Sequence, residues 1–119
     1  MSKRILVVDD SSMMRKMITK LLNPPGHTVI GEAKSGQEAV DLYRELHPDL
    51  VTMDITMKGM DGITAAREIL NYDANAQIIF LSNLDEDKYR DEVEKLGALG
   101  FVNKYKSIEI LHLIDSLDK

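Results

Sequence analysis

The sequence predicts an α/β protein: a five-stranded parallel sheet with five helices distributed over both of its faces. Three observations lead there. Five short runs rich in β-branched residues recur along the 119 residues, and the segments between them carry apolar residues at helical spacing. No internal repeat, low-complexity tract or linker interrupts the alternation. Strands that alternate with helices pair in parallel, because each right-handed crossover brings the chain back to start the next strand in the same direction.

The first strand is Arg4–Val8 (RILVV). It is followed by Ser11–Leu22, where Met13, Met14, Met17, Ile18, Leu21 and Leu22 form one stripe opposite Arg15, Lys16, Thr19 and Lys20. The breaker-rich NPPG stops this helix. Thr28–Ile30 is the second strand, and the second helix runs from Gly36 to about Leu46, with Ser35 as N-cap and Glu38 as its capping-box partner. His47-Pro48 ends it. Leu50–Met53 is the third strand, and the third helix begins near Gly62 and fades by Asn71. After the fourth strand, Gln77–Leu81, a helix over Asp85–Leu96 has clear apolar positions only at Tyr89, Val93 and Leu96. It is predicted to be weakly anchored, with the pairs Glu86/Arg90 and Asp91/Lys95 adding little. Leu99–Val102 is the fifth strand. The last helix is predicted to start from Ser107 as N-cap, and its Ile108, Ile110, Leu111, Leu113, Ile114 and Leu117 span an arc wider than one sheet-facing stripe requires. Such an arc is either a well-buried terminal helix or a face for a partner.

Composition narrows the function. A chain of this length with 44% hydrophobic residues supports one domain over residues 1–119 with its own core, and leaves no room for a separate output module. Cysteine is absent, so neither a disulfide framework nor thiol chemistry is available. The apolar run near the N-terminus stops after Val8, too short for a signal-peptide core or a membrane span, and predicts a cytoplasmic protein without membrane insertion. A net charge of −5 argues against a nucleic-acid binder, whose affinity rests on clustered Lys and Arg.

In a parallel sheet all strand C-termini lie along one edge, where open α/β sheets place ligands. Asp9 and Asp10 follow the first strand, Asp54 the third, Ser82 the fourth, and Lys104, after Asn103, the fifth. Asp and Ser are common caps and turn residues after strands, so each alone has a structural explanation. The set is harder to explain that way. Three clustered carboxylates repel one another unless a cation lies among them, and hard oxygen ligands open to solvent suit Mg²⁺. A metal, an ammonium, a hydroxyl and one carboxylate are the parts that phosphoryl transfer to an oxygen nucleophile needs. Asp54, between the Asp9-Asp10 pair and the Lys104/Ser82 pair, is the predicted acceptor.

The motifs VVDD, TMDITM with the following DG, Ser82 and GFVNK stand in the order and at the spacings of response-regulator receiver domains, and the chain resembles the single-domain, CheY-like members end to end. That resemblance implies the flavodoxin-like strand order 2-1-3-4-5. It implies that Asp54 takes a phosphoryl group from the phosphohistidine of a histidine kinase. It places Mg²⁺ on Asp10, Asp54 and the Thr56 carbonyl, with Asp9 acting through a bound water, and puts Lys104 and Ser82 on the phosphoryl oxygens. Ser82 and Phe101 would form the switch, although Phe101 reads equally well as a packing aromatic. The implied setting is chemotaxis signalling, with a downstream target such as a flagellar motor component or a phosphatase, and a monomer or weak dimer.

Departures from the family pattern temper these expectations. Lys58-Gly59 replaces a customary proline after the acceptor, predicting a more mobile loop with a solvated or donor-attracting lysine. Tyr105 follows Lys104 where the family has a cis-proline; a cis bond without proline costs about 2.5–4 kcal/mol, so a trans link and a rearranged loop are predicted. Tyr105 would then be exposed for a partner or cover the core's rim. Asn83 stands where a small residue is usual and would hinder small phospho-donors, and an apolar Leu84 predicts slow self-dephosphorylation. Four other readings compete: a phosphorelay intermediate or adaptor, a receiver that works without phosphorylation, an Mg²⁺-dependent aspartyl phosphohydrolase, and a flavin carrier. The hydrolase reading lacks a second acid at Thr56, and the flavin reading lacks a phosphate loop after the first strand.

Overall fold

Successive side chains along a strand point to opposite faces, so a strand covered on both sides must be apolar throughout. The central strands meet that requirement. In the structure, a computed structural model describing residues 2–83 and 88–117, β1 (Arg4–Val8), β3 (Leu50–Asp54) and β4 (Ile78–Ser82) are buried apart from Arg4. The edge strands β2 (Thr28–Ala33) and β5 (Gly100–Asn103) are only partly covered. The sheet runs β2-β1-β3-β4-β5 with every pair parallel, as the sequence predicts.

The alternation divides the core into two layers. Ile5, Val7, Leu50, Ile79, Leu81 and Val102 face Ile18 and Leu22 of α1 (Ser12–Leu22) and Ile110 and Ile114 of α5 (Glu109–Ser116). Leu6, Val8, Val51, Met53, Ile78 and Phe80 face α2 (Gly36–Leu46), α3 (Gly62–Tyr72) and Val93 of α4 (Arg90–Lys95). Val93 is the sole buried residue of α4, in keeping with its weak apolar pattern. Residues 85–87 of that predicted helix, Glu86 among them, and Leu84 before it lie outside the described residues.

Capping side chains fix three helix starts: Ser11 accepts from the Met14 N–H, Ser35 from Glu38 and Asp61 from Thr64. Glu38 reaches back to the Lys34 N–H, one residue before the cap itself, at 3.1 Å. At the far end of α3, the Tyr43 hydroxyl donates to Asp73 at 2.7 Å and joins α2 to α3. Burial and that bond push the Tyr43 phenol well above its usual range, while the same bond and the Asn75 N–H hold Asp73 low.

Several boundaries differ from expectation. β2 extends to Ala33, because a register shift between Ile5 and Leu6 lets the less apolar Gly31 and Glu32 continue the ladder. Ser107 does not cap α5. Residues Lys104–Lys106 already wind as a 3₁₀ turn, so Ser107 has helical dihedrals (φ −60°, ψ −20°), and a capping side chain requires an extended backbone. α5 instead follows Ile108, which makes no side-chain cap bond. The described peptide bonds are all trans, including Lys104–Tyr105, as predicted.

Candidate phosphoryl-acceptor site

Three strand ends supply the acids and the ammonium. Asp9 follows β1 directly and is fully buried; its Oδ1 accepts from the Ser11 N–H at 2.9 Å, which leaves Oδ2 facing the rim. Asp54 is the last residue of β3 and is also buried. Lys104, first after β5, places its Nζ 3.0 Å from Asp54 Oδ1 and 3.2 Å from Asp9 Oδ2. Neither oxygen has a hydrogen-bond donor among the described residues apart from this ammonium. Asp10 completes the group from an exposed position, and one oxygen from each of Asp9, Asp10 and Asp54 lies within 4.8 Å of the others.

One ammonium among three carboxylates leaves surplus negative charge. Burial, then the Asp9 charge, raise the Asp54 carboxyl to about 7 against the opposing pull of Lys104. Burial alone would lower Lys104, but the charges and hydrogen bonds of Asp54 and Asp9 carry it upward. The charge contribution to each shift expresses the same imbalance, which a divalent cation would relieve. The donor set fits such an ion: three carboxylates offering hard oxygens, of which Asp9 and Asp54 each keep one oxygen with no donor among the described residues but the Lys104 ammonium, and an exposed Asp10 leaving room for water.

The surrounding backbone holds Asp54 tightly. The Gly62 N–H donates to the Ile55 carbonyl at 2.8 Å, and a Cβ on Gly62 would stand 2.0 Å from the Asp54 carbonyl oxygen. Only glycine lets α3 begin this close to β3. Arg15 donates to the Asp9 carbonyl at 2.7 Å and pairs with Glu32 of β2 at 2.9 Å, so it clamps the acid turn from α1. The sequence places Arg15 on a polar helix face; nothing local signals a contact that depends on where β2 runs.

The model of the response regulator receiver domain matches residues 5–115. The chain belongs to the response regulator receiver family. This receiver is 43% identical over 119 residues to the chemotaxis protein CheY of Thermotoga maritima, covering 100% of this chain and 98% of that protein. It is 44% identical over 116 residues to CheY of Bacillus subtilis, with 97% of each covered. Among solved structures, the response regulator domain of Thermotoga maritima CheB matches with a TM-score of 0.88 at 33% identity, covering 98% of this chain and 96% of that one. CheY in a CheX–CheY–BeF₃–Mg²⁺ complex from Borrelia burgdorferi matches with 0.87 at 33% identity, covering 98% and 89%.

Within the receiver, Ser82 is buried at the end of β4, one residue beyond Leu81, the register partner of Asp54. Its own partner is Asn103, immediately before Lys104. Thr56 is exposed two residues after Asp54, and Lys58 is exposed on the same loop. Phe101 pairs with Phe80 and is half-buried, with the Arg90 guanidinium 4.6 Å from its ring centroid. It also lines a groove of about 640 Å³ between β5 and α5, bordered by Tyr105, Ile108 and His112. The α5 arc is therefore split: Ile110 and Ile114 are buried, while Ile108 is exposed. Asn83 and Tyr105 flank a smaller groove, about 270 Å³, together with Met14, Met17 and Lys104. Tyr105 is 80% exposed and does not cover the core.

Proposed function

We propose that this receiver accepts a phosphoryl group on Asp54 from the phosphohistidine of a histidine kinase and, so modified, presents an altered β5–α5 surface to a target protein. The contact that carries this reading is the Lys104 ammonium 3.0 Å from Asp54 Oδ1, beside the carboxylates of Asp9 and Asp10. An ionised Asp54 oxygen attacks phosphorus and forms an O–P bond. The P–N bond breaks, its electron pair passes to the imidazole, and the ring, protonated on its other nitrogen, leaves neutral. Lys104 and the Ser82 hydroxyl bind the phosphoryl oxygens where charge accumulates. Asp10, Asp54 and the Thr56 carbonyl, with Asp9 through a water, would hold Mg²⁺, which when bound neutralises charge on the transferring group. The solved relative with BeF₃ and Mg²⁺ supports this choice of ion.

The modified acid draws Ser82 inward, and Phe101 follows into the space vacated. This shifts two pre-existing states by differential contacts. The Phe101-lined groove is then the surface whose shape reports phosphorylation. Full-length similarity to two CheY proteins supports a single-domain regulator in chemotaxis signalling, working in the cytoplasm without a catalytic activity beyond its own phosphorylation and dephosphorylation. Among the described residues no helix is long and apolar enough to cross a membrane.

Intact mass after incubation with Mg²⁺ and either a small phospho-donor or a phosphorylated kinase tests the assignment. One added phosphate on the native chain and none on Asp54→Asn is the expected result; phosphate retained by the variant, or never acquired from any donor, overturns it. The apolar Leu84 further predicts a long-lived phosphate on the isolated protein, and rapid spontaneous loss would contradict that.

A further inference from the structure

A lysine reaches its target through four rotatable bonds, so its ammonium stays in place only if the backbone at its Cα is fixed. Lys104 is the first residue beyond β5, where the ladder no longer holds the chain. Packing does not hold the next residues either: the side chains of Tyr105 and Lys106 are both exposed. The turn is instead anchored from within. Asn103 leaves the strand with extended dihedrals (φ −71°, ψ 135°), and its Oδ1 accepts the Tyr105 N–H at 2.8 Å, spanning Lys104 from one side to the other. On its other side, Asn103 is the register partner of Ser82.

We infer that Asn103 is the positioning residue for Lys104, its side-chain cap fixing the turn from which the ammonium reaches both Asp54 and Asp9. The choice of amide follows from the electrostatics around it. Aspartate would cap the same N–H, but it would add a fourth carboxylate next to an ammonium already shared among acids and draw it off the acceptor. Serine caps without charge. This inference rests on the proposed role of Lys104 toward the phosphoryl group.

The test compares the native chain with Asn103→Ala and Asn103→Ser by acylating lysines with a water-soluble succinimidyl ester and quantifying each site by peptide mass spectrometry. Lys106, exposed two residues away, is the internal reference. Loss of one hydrogen bond of ordinary net strength shifts such an equilibrium by about fivefold. Lys104 labelling relative to Lys106 is expected to rise by about that factor in Asn103→Ala and to return to the native value in Asn103→Ser. The phosphorylation rate should fall and recover in parallel. Unchanged Lys104 labelling in Asn103→Ala overturns the inference, as does a serine variant that behaves like alanine. So does increased labelling of Lys104 and Lys106 together with a lowered thermal midpoint, since that marks general loosening. A native chain that accepts no phosphate would end the proposed function, while the labelling ratio would still decide what holds Lys104.

Discussion

At the end of β3, burial and the neighbouring Asp9 charge hold the Asp54 carboxyl at about 7, against an ordinary 3.8. A folded-state value raised above the unfolded one means that the native state binds the proton more tightly. Asp54 then contributes stability that is fully present below about pH 4 and lost as pH rises through about 7. Without divalent cation at pH 8, Asp54→Asn is therefore expected to be more stable than the native chain by about 1–4 kcal/mol, with the gap closing toward pH 4. Denaturant midpoints at both pH values decide this, and equal midpoints at pH 8 would show that the buried charge costs nothing. Two residues earlier, the Thr52 hydroxyl is buried without a hydrogen-bond partner among the described residues, between Val7 and Ile79 of the neighbouring strands. Thr52→Val keeps the shape and removes the unpaired group, so a gain of about 1 kcal/mol in urea unfolding is expected. A loss would reveal a partner for the hydroxyl.

The elements that matter most for the site are the ends of β3 and β5 and the start of α3. Gly62 belongs to the junction of α3 with β3: a methyl group there would meet the Asp54 carbonyl, which is backbone and cannot rotate away. Gly62→Ala must displace either α3 or Asp54. It is expected to cost about 2 kcal/mol or more in stability and to slow phosphorylation at Asp54. Native-like values of both would mean that α3 can slide without cost. Beside α3, among the described residues, α4 is held by Val93, by the exposed Arg67–Glu92 ion pair and by Arg90 over Phe101. An exposed ion pair contributes little. This leaves α4 the least anchored helix beside the aromatic that the switch would use.

For the molecule as a whole, the acid cluster is expected to make stability depend on divalent ions. A ligand that binds only the native state adds RT ln(1 + [L]/Kd), about 2.7 kcal/mol at a hundredfold excess over Kd. Magnesium is expected to raise the thermal midpoint of the native chain at pH 8, a chelator to reverse the rise, and Asp10→Asn to blunt it. A midpoint indifferent to magnesium would remove the cation from the proposed mechanism. The same measurement on Asp54→Asn separates relief of charge repulsion, which the variant already has, from coordination.

Residue order alone specified the alternation of strands and helices, the parallel sheet, and the set Asp9, Asp10, Asp54, Ser82 and Lys104 at one edge. Those features follow from period, crossover handedness and strand direction, all of which are local or nearly so. Tertiary structure decided what depends on neighbours distant in sequence: β2 continuing to Ala33, Arg15 reaching both the Asp9 carbonyl and Glu32, and the 3₁₀ turn, itself capped by Asn103, that leaves Ser107 without a capping role. A side chain's type is written in the sequence, but the atom it meets across a sheet edge exists only once the strands are side by side.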